Sequence, residues 1–282
     1  MIGFSKWLKL SETVILNEAD KLDEIIGELQ NIEADKRLGS GGKVDFQVIS
    51  KLAYDYLTTH DNIKNLVTNM VANDPKKFKE YTQKYQQLLQ LLTNKITQLN
   101  YTEDDNMGWQ SYTRGGKRKG VKDDNMTTKR YVSINPQEIW TAYQKLPVLA
   151  SALNKVKLKP EADVLDFKIP RTYTAAIQYK DSIVIHYYDK EASPQIDLAV
   201  QEFLNAAGIK EMDRSKFNRT NFGKDVAGES DSQIVADRFA KYIELHKDQI
   251  PQFLKMPNLK QQLEELIKNL SYNSSHRAGV KV

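Results

Sequence analysis

Leu165-Asp166-Phe167-Lys168-Ile169-Pro170-Arg171 alternates apolar and polar side chains until a proline interrupts it. A strand sends successive side chains to opposite faces, so Leu165, Phe167 and Ile169 share one face and Asp166 and Lys168 the other. Two stretches on either side carry a similar pattern: Lys129-Arg130-Tyr131-Val132-Ser133-Ile134, and Asp181-Ser182-Ile183-Val184-Ile185-His186-Tyr187-Tyr188. Strands gathered in one region, with helices around them, predict an α+β domain with a small, largely antiparallel sheet rather than a doubly wound one. A lysine fixed on the floor of such a sheet by an apolar underside suits acid–base chemistry or anion binding.

Outward from this region the remaining elements follow. Strands are predicted at 164–169, 175–179 and 182–188. A helix is predicted over 136–153, bent near Pro147, and another from Pro194 to Leu204, stopped at Ala207-Gly208 by a glycine suited to a left-handed cap. Further helices are expected at 230–246 and 250–270, with a fraying tail over 271–282. Upstream, Leu22, Ile25, Ile26 and Leu29 recur at helical spacing, and Val48, Ile49, Leu52, Tyr56 and Leu57 follow Asp45 in the same way. Asp74-Pro75 starts a helix that buries Phe78, Tyr81, Tyr85, Leu88, Leu89 and Leu92. Residues 1–100 therefore read as a helical domain, a three- or four-helix bundle. Residues 101–128, rich in Asp, Asn, Gly, Lys and Arg, read as a polar basic linker or loop. The α+β domain then covers 129–270.

Composition narrows the function. The chain has 282 residues, 40% of them hydrophobic, which is enough for a packed core. It has no cysteine, so disulfides, thiolate nucleophiles and cysteine-ligated metals are excluded. Net charge is +4, too mild a balance to point to nucleic acid by itself. No apolar run approaches the length that crosses a bilayer, and the start lacks a secretory signal. The expectation is a soluble, cytoplasmic protein that binds no membrane. Scattered histidines give no metal-ligand spacing, and neither a Walker loop nor a Gly-x-Ser-x-Gly elbow occurs. No cofactor is expected.

Lys168 is the leading candidate for chemistry. A neutral lysine is a competent base when burial or nearby cations lower its proton affinity. Lys129, Arg130 and Arg171 are the cations expected beside it, and the same charges suit a phosphate dianion. His186, on the face of Ser182, Val184 and Tyr188, is a candidate acid near neutral pH. Tyr131, on the face of Lys129 and Ser133, is a second. Arg219 and Lys224, in Phe217-Asn218-Arg219-Thr220-Asn221-Phe222-Gly223-Lys224-Asp225, are placed to close over an anion ahead of a helix capped by Ser230. The bland alternatives are a surface ion pair of Lys168 with Asp166 or Asp181 and a plain loop before a capped helix.

The order of these segments resembles the HopA-type family of plant-pathogen type III effectors. It runs through a basic-aromatic strand, a helix, the Phe167-Lys168 strand, the Asp181-Ser182-Ile183-Val184 strand and the Asn221-Phe222-Gly223 turn, over roughly residues 128–245. That family's domain is similar to lyase components of lanthipeptide synthetases, which remove phosphate from phosphoserine or phosphothreonine. The more distant phosphothreonine lyases place a lysine and a histidine in the first strand and a lysine base in the second. Lys129 matches the first lysine, Tyr131 stands at the histidine's place, and Lys168 matches the base. The resemblance implies β-elimination of phosphate from a phosphorylated protein or peptide, with Lys129, Arg171 and Arg219 gripping the phosphate, and export by a dedicated secretion system. Two other classes stay open. One is a non-catalytic interaction module that meets a partner protein through the N-terminal helices. The other is weak nucleic-acid binding through the basic loop at 114–122.

Overall fold

A computed structural model of the chain describes residues 21–37, 44–59, 67, 71–106, 108–115, 128–160, 164–212, 222–224 and 231–275. The fold is α+β, and the chain divides into two compact units.

The first unit holds the sheet. Its six strands are β1 (Tyr101–Asn106), β2 (Trp109–Arg114), β3 (Thr128–Val132), β4 (Leu165–Pro170), β5 (Ile183–Tyr187) and β6 (Phe222–Lys224). They lie in the order β1-β2-β4-β5-β3-β6, every neighbouring pair antiparallel. Phe167 and Ile169 on β4 and Ile183 and Ile185 on β5 are fully buried on one face. They join a core with Leu88, Leu89 and Leu92 of the helix Pro75–Thr97, Leu149 and Leu153 of Leu146–Asn154, and Val200 and Phe203 of Ser193–Ala207. In chain order the helices of the whole protein are α1 (Lys21–Arg37), α2 (Phe46–Thr58), α3 (Pro75–Thr97), α4 (Ile139–Tyr143), α5 (Leu146–Asn154), α6 (Tyr173–Gln178), α7 (Ser193–Ala207), α8 (Asp231–Leu245), α9 (Ile250–Phe253) and α10 (Leu259–Ser275).

Buried hydroxyls fix the two central strands. Tyr85 on α3 donates to the Pro170 carbonyl at 2.6 Å, and Tyr143 on α4 donates to the Ser182 carbonyl at 2.6 Å. Each bond satisfies a polar tip inside apolar packing and pins the end of a strand.

The structure corrects the sequence reading in several places. Residues 101–114 form a hairpin, not a linker, because Tyr101 and Tyr112 are buried against Phe167 at ring separations of 5.6 and 5.1 Å. Gly108, at φ +87°, supplies the left-handed backbone that the tight turn needs. Arg114 donates to the carbonyls of Leu153 (3.1 Å) and Val156 (2.9 Å), satisfying the end of α5 rather than serving a basic patch. The rest of that basic cluster lies outside the described residues. The expected strand at 175–179 is helix α6, since Thr172 accepts from the Ala175 amide at 3.2 Å and Tyr173, Ala176 and Ile177 share a buried helical stripe. The helix expected over 136–153 is two, α4 and α5, with Pro147 in the first turn of the second.

The second unit is helical, built from α1, α2, α8, α9 and α10. Leu22, Ile25, Ile49, Phe239, Ile243 and Leu263 are among its buried core. Asp45 caps α2, accepting from the amides of Gln47 and Val48 at 3.0 and 3.2 Å. Residues 1–100 are thus not one helical domain. The Tyr85–Leu92 stripe of α3 packs in the core of the first unit, while α1 and α2 meet helices from the other end of the chain. A leucine stripe specifies a helix and its buried side without specifying what covers it. The tail expected from residue 271 is helical through Ser275, and residues beyond it lie outside the described set.

Candidate functional site

The site begins with strand register. Across β3, β5 and β4, Lys129 stands opposite His186 and His186 opposite Asp166. In the next row Tyr131 stands opposite Val184, Val184 opposite Lys168, and Lys168 opposite Ser111 of β2. Side chains directly opposite share a face, so Lys129, Tyr131, Asp166, Lys168 and His186 all lie on the face away from Phe167. The structure brings these together. Gly223 of β6 stands opposite Lys129 on the outer side.

His186 and Asp166 form a buried pair, Nδ1 to Oδ1 at 2.8 Å. An ionised carboxylate only accepts, so the hydrogen is on Nδ1 and Nε2 keeps a lone pair. Burial holds the imidazole below its ordinary value of 6.5. Asp166 opposes that shift, and the nearby Lys129 and Lys168 ammoniums add to it. A ring held below that value favours the uncharged form at neutral pH, in which Nε2 accepts rather than donates. Lys129, Asp166 and His186 are only 4, 5 and 5% exposed, and Tyr131 is 5% exposed. Lys168 is half-buried and marks the more open end of the group.

Lys168 is positioned by an aromatic floor. Its Nζ lies 4.8 Å from the centroid of the Trp109 ring, and Trp109 stacks on Tyr179 at 5.6 Å with planes 11° apart. A ring face attracts the ammonium and has no such attraction for a neutral amine.

The remaining sequence candidates are elsewhere. Arg130 is on the opposite face, next to the helices, only 2% exposed. Its guanidinium is bidentate to Glu211 at 2.7 and 2.8 Å and reaches Asp197 of α7 at 2.7 Å. It also donates to the Tyr131 carbonyl. Burial works against its charge, but Glu211 and Asp197 outweigh that and hold its proton more tightly than usual. With two carboxylates in place it is a closed ion-pair centre, not a phosphate grip. Arg171 is exposed past the end of β4, its amide on the Gly108 carbonyl at 2.9 Å and its own carbonyl accepting from Gln86 at 3.1 Å. That position is beyond Pro170, where strand alternation has ended, so it does not share the row of Lys168. Arg219 and Ser230 lie outside the described residues, as does the side chain of Lys224, whose backbone pairs with Thr128.

Two residues outside the candidate set belong to the group: Asp166, whose sequence reading is a surface partner for Lys168, and Trp109, which lies in the stretch read as a linker or loop. The parity of Asp166 with Lys168 was readable, but its meeting with His186 depends on register between strands. Away from this face a cavity of about 280 Å³ is lined by Tyr81, Lys84, Trp140 and Tyr173, on α3, α4 and α6. Among the described residues no group of three or more His, Asp or Glu is arranged to hold a metal ion. Among them, too, no helix is long and apolar enough to cross a membrane.

No family model matches the chain, and neither does any curated protein. Among solved structures, the effector protein from Pseudomonas syringae pv. tomato strain DC3000 is similar over 66% of this chain and 81% of its own, at 12% identity and a TM-score of 0.35. A likeness at that level carries no argument about activity.

Proposed function

We propose that the Lys129–Lys168 face eliminates phosphate from phosphoserine or phosphothreonine in a protein or peptide. What supports the reading is one observation: two lysines and a histidine bonded to a carboxylate meet on one face of three adjacent strands. β-Elimination needs those parts. A cation must neutralise the departing phosphate, a base must take the proton beside the amide carbonyl, and fixed charge must stabilise the developing enolate. Lys129 is directly opposite His186, so an imidazole stands beside the first-strand lysine although that strand carries Tyr131 where the resembled lyases carry histidine. Near-complete burial makes the Lys129 charge count for more than it would in water.

The test is incubation with phosphothreonine and phosphoserine peptides, read by mass. Loss of phosphoric acid to leave the dehydro residue is expected from the wild type. Lys129→Ala should slow it roughly hundred- to thousandfold, the usual loss when one stabilising donor goes. An unchanged peptide mass, or a Lys129→Ala variant as fast as wild type, overturns the reading.

A second reading is favoured by the same burial, since 4–5% exposure at three members of the group suits a closed network better than an open catalytic cleft. On that reading the protein is a non-catalytic interaction module. Phosphopeptide retained without mass change, with affinity insensitive to Lys129→Ala, would favour it.

A further inference from the structure

The face offers two proton acceptors, Lys168 and His186, and the geometry distinguishes them. We infer that His186, oriented by Asp166, takes the substrate proton, while Lys168 stays an ammonium held over Trp109 and serves the leaving phosphate. This rests on the elimination reading of the same face, and it reverses the roles that the resemblance implies.

Three contacts carry it. Asp166 fixes Nδ1–H at 2.8 Å, which leaves the Nε2 lone pair pointing away from the carboxylate and available to a proton. Trp109 lies 4.8 Å below the Lys168 Nζ, and a ring quadrupole stabilises the charged form that a base would have to give up. Lys129 sits opposite His186 on the other side from Asp166, so the histidine stands between a carboxylate and an ammonium in one row. The charged or titratable groups facing His186 are then Asp166 and Lys168 on β4 and Lys129 on β3. Burial favours the neutral ring against the pull of Asp166, and the two ammoniums act with burial; neutral imidazole is the form a base requires.

The step balances. Nε2 takes the α-hydrogen as a proton, and the Cα–H pair becomes the second bond between Cα and Cβ. The Cβ–O bond breaks with its pair on phosphate, beside the Lys168 and Lys129 ammoniums. The imidazolium then returns its proton to water. Asp166 and Trp109 touch no reacting atom here and act as positioning residues.

Arginine keeps a cation but does not release a proton near neutral pH, so Lys168→Arg separates the two roles. Elimination by Lys168→Arg within about tenfold of wild type, with loss of roughly a hundred- to ten-thousand-fold in His186→Gln, is the expected result. A Lys168→Arg variant as inactive as Lys168→Ala, beside a His186→Gln variant that still turns over, would overturn the assignment. Ring nitrogen signals by NMR give a readout that does not need turnover. Only four histidines are present, so the His186→Gln spectrum identifies the signal. The expected wild-type state at pH 7 is neutral with hydrogen on Nδ1, lost or reversed in Asp166→Asn. Hydrogen on Nε2 in an active enzyme sinks the assignment alone. A wild type with the Nδ1–H tautomer but no elimination sinks the lyase reading and leaves the dyad as a structural pair.

Discussion

Lys129 and Arg130 are consecutive residues of one strand, yet each belongs to a different face of the sheet and a different kind of charge site. Arg130 points among helices and is closed by Glu211 and Asp197 in a planar, two-pronged geometry. Lys129 points the other way, into a row with a histidine and a carboxylate. The difference teaches that parity sorts cations before chemistry does. A fork saturated by two carboxylates has its interactions satisfied within the fold. A lysine is a point charge without that planar fork, and here it stands in a row with an imidazole.

The largest expected effect lies on the Arg130 side. Arg130→Met leaves Glu211, mostly buried, without its counter-charge, and breaking such a pair from one partner costs about 3–5 kcal/mol. The exposed half of the Asp197 side chain moves the expectation toward the lower end. Urea unfolding of the two variants checks this: Arg130→Met should lose at least about 2 kcal/mol more than Lys129→Met. Equal losses would mean that the two faces do not differ in the way their contacts indicate.

Much of this contrast was legible in the strand at 165–169, because alternation alone puts Phe167 under Lys168. The same parity, applied to Lys129-Arg130-Tyr131, separates Arg130 from its neighbours, a division that grouping Lys129 with Arg130 by charge misses. The hairpin at 101–114 was obscured by its own exposed edge. Glu103 and Asp104 face water, and only Tyr101, Gln110 and Tyr112 alternate inward, too sparse a pattern to stand out. Helix α6 was read as a strand because six residues hold less than two turns of period, and its cap at Thr172 is a tertiary-independent signal that went unused. The pairing of α2 with α8 was out of reach, for amphipathic helices more than 170 residues apart carry no mark of each other; Ser50 and Asp237 are bonded across 187 positions.

A smaller effect sharpens the polar side of the comparison through pH. His186 is held below 6.5 in the folded protein, so between that value and its folded pKa the unfolded chain binds more protons. Stability from this residue is complete above about pH 6.5 and is lost as pH falls through that window. The slope from one such group is at most about 1.4 kcal/mol per pH unit. Carboxylates titrate nearby, so the measured quantity is the difference between wild type and His186→Gln. Wild type should lose the extra stability on going below pH 6.5 and the variant should not; parallel curves would place His186 in water.

The smallest effect concerns the ammonium over Trp109. A cation–π contact at a partly exposed site contributes about 0.5–1 kcal/mol, a fraction of what breaking the fork on the other face costs. Trp109→Leu by itself is a poor measure, because it also removes the stack on Tyr179. A double-mutant cycle with Lys168→Met subtracts that loss and isolates the pair. A coupling of about 0.5–1 kcal/mol is expected at neutral pH, and it should fade at high pH as the lysine loses its proton. Coupling that is absent at neutral pH would remove the reason for keeping Lys168 charged. The histidine would then be no better placed than the lysine to accept a proton, and the two faces would differ only in how tightly they are closed.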